Sequence, residues 1–98
     1  MVLKLDPKNV VALYNRGNIA LDRGEFREAV GYFDKAIEGN PNHYQACANR
    51  GLAKLFMGEH KAAIEDFDRA IAVNSDATSA YANRGIARQQ SGDLTGAI

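Results

Sequence analysis

The chain has 98 residues, 46% of them hydrophobic, and its 12 basic residues balance 12 acidic ones. A net charge of zero argues against a basic surface for nucleic acid, and no apolar stretch approaches the roughly 18 residues expected of a membrane span. The first residues lack the apolar core and cleavage site of a secretory signal. With Cys47 as the single cysteine, an internal disulfide is excluded, and we expect a reducing compartment, the cytoplasm.

The triplet Asn-Arg-Gly occurs three times, and each copy begins 34 residues after the previous one, at Asn15, Asn49 and Asn83. A fixed period of this size is typical of a stack of similar supersecondary units rather than one globular core. We therefore predict a single domain over residues 1–98. It divides into the end of a preceding repeat, two full repeats and a truncated third, at residues 1–9, 10–43, 44–77 and 78–98.

Each repeat is predicted to contain two helices. The first helix of repeat one runs from about Val10 to Arg23, and Gly24 follows as a residue that tolerates positive φ. The second helix begins near Phe26, and its apolar residues share one face at helical spacing. Those residues are Phe26, Ala29, Val30, Phe33, Ala36 and Ile37. Pro41 ends this helix, because the residue before a proline disfavours the α conformation.

Repeat two follows the same plan, with helices predicted from Tyr44 to Met57 and from His60 to Val73. Gly51 lies inside the first of these, although glycine costs roughly 0.5–1 kcal/mol in a helix relative to alanine. Its recurrence at one register indicates a close approach of the two helices. We expect the space to be filled by Phe67 here and by the equivalent aromatic ring in repeat one.

On these residues the chain resembles the tetratricopeptide repeat family, whose unit is a helix–turn–helix of 34 residues. Small residues stand where the family carries them, as Gly17, Ala29 and Ala36 do in repeat one. The chain departs from the family pattern by lacking its usual aromatic residue near the start of each first helix. The resemblance implies an all-α solenoid of antiparallel helix pairs, wound into a right-handed superhelix, that is not an enzyme.

The resemblance also implies a concave face, lined by the first helices, that binds a protein or peptide ligand. The candidate groove residues are Tyr14, Asn15, Asn18, Leu21, Gln45, Asn49, Leu52, Leu55, Phe56, Asn83 and Ile86. The asparagines of the triplets, projecting one above another, are similar to the asparagine ladder of the O-linked N-acetylglucosamine transferase. A carboxamide both donates and accepts, so it suits a peptide amide. The alternative is that each carboxamide bonds to neighbouring helices and stiffens the stack.

A second known use of the fold is the carboxylate clamp of heat-shock co-chaperones, which combines two lysines, an arginine and two asparagines. Asn18 and Asn49 match the clamp asparagines. Tyr14, Ser79 and Asn83 occupy its basic positions, so the charge-assisted hydrogen bonds to a carboxylate are missing. We therefore expect no clamp in this chain.

The arginines of the three triplets have an expected structural role. Their aliphatic stems should pack between repeats while each guanidinium meets a carboxylate, and Asp34 and Asp68 are the candidate partners. Cys47 is expected to be a small buried residue. His43 and His60 fall in turns, where no cluster of ligands has the spacing of a metal site. No metal or other cofactor and no catalytic residue is predicted.

We therefore expect a protein-interaction scaffold. Two alternatives remain open at this point: an accessory segment of a larger enzyme, or homotypic assembly through exposed repeat ends. The chain reads as a window of a longer array, and terminal repeats normally carry polar caps. The ends instead place Leu3, Leu5, Leu94 and Ile98 toward water, which predicts homo-oligomers formed through them.

Overall fold

The computed structural model describes residues 9–91, and over this range the chain forms five α-helices and no strand. The helices are α1 (Val10–Asp22), α2 (Phe26–Gly39), α3 (Tyr44–Phe56), α4 (His60–Val73) and α5 (Thr78–Gln90). The all-α solenoid of paired helices is confirmed. The leucines and the isoleucine predicted to be exposed at the chain ends lie outside the described residues.

Two glycines end the first helix of each complete pair. Gly24 and Gly58 adopt φ of +78° and +81°, the left-handed region that a residue with a side chain avoids. The N–H of Glu25 donates to the Ala20 carbonyl at 2.8 Å, and that of Glu59 to the Lys54 carbonyl at 2.9 Å. These are the hydrogen bonds of a Schellman motif. The chain therefore reverses within three residues, which makes the two helices antiparallel neighbours.

The turns that join successive pairs are built around asparagine. The Asn40 side-chain oxygen accepts from the N–H of Asn42 at 3.1 Å, and that of Asn74 accepts from the N–H of Asp76 at 2.9 Å. Both turns thus have the same hydrogen bond although Ser75 replaces Pro41. The side chain of an asparagine can form such a turn without a proline.

The apolar cores repeat with the sequence. Phe33 and Phe67 are fully buried, one in each core cluster. A Cβ added at Gly17 would lie 2.5 Å from the Phe33 ring, and one at Gly51 would lie 2.8 Å from the Phe67 ring. The predicted close approach at these glycines is confirmed. Gly85 has no atom within 4 Å of such a Cβ.

The first helices of the pairs form a layer of their own. Helix α1 contacts α3, and α3 contacts α5, whereas α2 makes no such contact with α4 within the described part of the chain. Elements on the inside of a curved stack lie closer together than those on the outside. The layer of α1, α3 and α5 is therefore the inner one.

Candidate functional site: a surface on the first helices

A hydrogen-bonded cluster of three candidate groove residues connects α1 to α3. The side-chain amide of Asn49 donates to the Asn18 side-chain oxygen at 2.8 Å and to the Tyr14 hydroxyl at 3.3 Å. Both contacts join helices more than 30 residues apart in sequence. Asn49 thus has the helix-bridging role that the sequence left open beside ligand binding.

The cluster keeps unused hydrogen-bonding capacity. Asn18 and Asn49 are both half-buried. The amide nitrogen of Asn18 and the carboxamide oxygen of Asn49 have no hydrogen-bond partner between Asn9 and Ser91. One donor and one acceptor are what a single peptide unit of a ligand requires, because it offers one C=O and one N–H.

Aromatic contacts position Tyr14. Its ring centroid lies 4.7 Å from that of His43 and 6.1 Å from that of Phe33. His43 caps α3, with its Nδ1 accepting from the N–H of Ala46 at 3.1 Å. The predicted capping role of this histidine is confirmed, and it also fixes the imidazole against the tyrosine ring.

The remaining candidate groove residues differ in exposure. Exposed side chains with polar amides are Asn15 and Gln45, and Asn83 is half-buried. Leu21 and Leu52 are half-buried as well, while Ile86 is 42% exposed. Phe56 is 58% exposed and stacks on Phe26 at a centroid distance of 5.0 Å. Leu55 is buried in the second core cluster, so it offers little surface to a ligand.

No candidate groove residue carries a formal charge. The surface combines half-exposed apolar side chains with carboxamides and one phenol. Such a surface attracts neither anions nor cations strongly. It suits ligands that are recognised by apolar contact and by neutral hydrogen bonds.

An ionic network lies behind this surface, between the helices. Arg50 donates twice to Asp66, at 2.7 and 2.9 Å, and once to Asp34 at 2.7 Å. Asp66 is only 2% exposed and also pairs with Lys54 at 3.1 Å. Burial alone would lower the pKa of Arg50, but the hydrogen bonds to both carboxylates raise it above its usual value, so the guanidinium stays charged.

The expected pairing of the triplet arginines is confirmed for two of them. Arg50 meets Asp34, and Arg84 meets Asp68, each at 2.7 Å. The sequence analysis missed Asp66. A signal was present, because Asp66 follows Ala63 by three residues and precedes Ala70 by four, which puts a carboxylate on the buried stripe of its helix.

The described residues include no group of three or more His, Cys, Asp or Glu that could hold a metal ion. Cys47 is buried, as predicted, and burial raises the pKa of its thiol. A thiol in this state is a poor nucleophile at neutral pH. None of the helices in residues 9–91 is both long and apolar enough to cross a membrane.

Two family models, both described as tetratricopeptide repeat, match residues 10–43 and residues 48–98. The second match alone spans more than half of the chain. The chain belongs to the tetratricopeptide repeat family. A search of curated protein sequences found no significant match.

Solved structures with the same fold include several tetratricopeptide domains. The first TPR of Spaghetti (RPAP3), bound to the HSP90 peptide SRMEEVD, is 28% identical with a TM-score of 0.85, covering 95% of this chain and 76% of that one. The Sgt2 TPR domain from Aspergillus fumigatus is 29% identical with a TM-score of 0.84, covering 94% and 60%. MamA is 30% identical with a TM-score of 0.85, covering 89% of this chain and 51% of that one. The chain therefore spans about half of the MamA structure.

Proposed function

We propose that this protein is a non-catalytic interaction scaffold that binds an extended peptide or a partner helix on the surface formed by α1, α3 and α5. The observation that carries the proposal is the cluster of Tyr14, Asn18 and Asn49. It places an unused donor and an unused acceptor beside the half-exposed apolar side chain of Leu52. The family supports a role in protein interaction, since two of its members of similar structure, the first and second TPR of Spaghetti, are bound to an HSP90 peptide.

The ligand is expected to differ in charge from the peptides of those two structures. The sequence SRMEEVD carries three acidic residues and one basic residue. The candidate groove here has no cation, and Tyr14, Ser79 and Asn83 stand where the clamp of heat-shock co-chaperones has basic residues. Hydrogen bonds to carboxylates gain their strength from charge on both partners. The proposed ligand is therefore an uncharged segment whose own main chain is recognised.

A selection from a random peptide library, with this chain as the target, tests the proposal. Enriched peptides are expected to be poor in acidic residues. They should bind the chain with an affinity that does not change when their C-terminal carboxylate is amidated. Failure to enrich any peptide over an unrelated helical protein would remove the support for a peptide scaffold.

Asn49→Ala locates the site. The variant removes two hydrogen bonds of the cluster and is expected to weaken binding of an enriched peptide by about 5- to 30-fold, from roughly 0.5–1 kcal/mol per bond. Its far-UV circular dichroism should stay that of the wild type. Glu65→Ala on the exposed side of α4 is the matched control and should bind normally. Loss of helical signal in Asn49→Ala would instead assign the residue a structural role.

A further inference from the structure

One face of each first helix is covered by the second helix of the preceding pair. On α3 this face contains Ala46 and Ala53, which are fully buried in one cluster with Phe33 of α2. On α5 it contains Ala80 and Ala87, which are fully buried with Phe67 of α4. The same registers are thus covered twice by a helix.

The equivalent face of α1 is uncovered. Its residues at the same registers are Ala12, Arg16 and Ile19, and all three are exposed. Ile19, which stands where the other first helices carry a buried alanine, is 53% exposed. A depression of about 210 Å³ adjoins this face. It is lined by Arg16, Ile19, Ala20, Arg23, Glu25 and Tyr32.

The covered faces each have an ion pair at their centre. Arg50 and Arg84 donate, at 2.7 Å, to the aspartate 16 residues earlier, on the helix that covers them. For Arg16 that register would be residue 0, so the printed sequence supplies no partner. Arg50 has a second carboxylate in Asp66, but the equivalent residue in the first pair is Tyr32. Arg16 has no ion pair with any residue from Asn9 to Ser91.

We propose that the outer face of α1, defined by Ala12, Arg16 and Ile19, docks an amphipathic helix of a partner polypeptide. The partner helix carries a carboxylate opposite Arg16 and a small or apolar surface over Ile19. A helix is the occupant because a helix covers the same registers on α3 and α5. A carboxylate is required because each of those helices places an aspartate on the arginine. This face is separate from the groove, and the inference does not depend on the proposed function.

The chain provides its own probe for this chemistry. A synthetic peptide with the α2 sequence, Phe26–Gly39, contains Asp34 and the apolar stripe that covers α3. Isolated helices of this length are marginal in water. A side-chain crosslink between positions 27 and 31, which are exposed in α2, would hold the peptide helical without touching the docking stripe.

Titration of the isotopically labelled 98-residue chain with this peptide, followed by methyl NMR, tests the proposal. Saturable shifts are expected at Ile19 and Ala12. Arg16→Gln in the chain, or Asp34→Asn in the peptide, should each weaken binding about fivefold, and the two together no further. Arg16→Asp paired with a peptide carrying Asp34→Arg should restore it. Arg16 is exposed, so these variants leave the fold intact.

Three outcomes would overturn the proposal. One is the absence of a saturable shift at Ile19. Another is an affinity that Arg16→Gln leaves unchanged. The third is a pattern of shifts centred on Ala46 and Ala53, which would mean that the peptide displaces α2 from α3 instead of docking on α1.

Discussion

Replacement of Asp66 by alanine tests the ionic network most severely. The carboxylate is 2% exposed and is shared by Arg50 and Lys54, whose side chains are 11% and 20% exposed. Asp66→Ala leaves two largely buried cations without that partner. Asp34 still holds one guanidinium nitrogen of Arg50 at 2.7 Å, but Asp34 is itself 49% exposed.

The expected loss follows from what a broken buried pair costs. Removal of one member of a buried ion pair destabilises by about 3–5 kcal/mol. Since Asp34 remains, the lower end applies, and we expect Asp66→Ala to lower the free energy of unfolding by about 3 kcal/mol. Asp68→Ala is the matched control, because Asp68 is 51% exposed and pairs with Arg84 at the same 2.7 Å. An exposed pair of this kind contributes about 0.2–1 kcal/mol.

Urea unfolding followed by circular dichroism measures both variants. The double variant Arg50→Met with Asp66→Leu removes both charges, so it should be less destabilised than Asp66→Ala alone. Equal losses for Asp66→Ala and Asp68→Ala would show that burial of the network has no energetic consequence. A double variant worse than the sum of the single changes would also contradict the reasoning.

Two further predictions concern the core. Gly17→Ala places a Cβ 2.5 Å from the buried Phe33 ring and should destabilise by about 1–2 kcal/mol, whereas Gly85→Ala meets nothing within 4 Å and should stabilise by about 0.5–1 kcal/mol; stabilisation by both changes in urea unfolding would contradict the packing. Burial raises the pKa of Cys47, so the unfolded chain loses its thiol proton first and stability should fall as pH rises past the pKa of an exposed thiol. Unfolding at neutral and alkaline pH measures this slope, and a slope unchanged in Cys47→Ala would show that another group causes it.

The helices were predictable because their signals are local. Gly24 and Pro41 act on the backbone conformation of their own neighbourhood, and the observed starts at Phe26 and Tyr44 follow from them. The packing of Gly17 was predictable as well, because a costly glycine recurring at one register needs a reason. These inferences use the sequence period and no distance between atoms.

The network around Asp66 was not predicted because it breaks the period. The equivalent residue in the first repeat is Tyr32, so averaging over repeats hides the carboxylate. Likewise, the sequence placed Asn18 and Asn49 on one face but did not show that they bond to each other. That contact depends on side-chain rotamers and on the separation of α1 and α3, neither of which a repeat pattern specifies.

The central claim is that the first helices together present one uncharged surface that binds a peptide. The most direct test is a chemical-shift titration of the labelled chain with a peptide from the library selection. The account predicts that the largest saturable changes fall on α1, α3 and α5, at residues such as Asn18, Asn49 and Ile86. Changes centred on the exposed side of α4, at Glu65 and its neighbours, would contradict it.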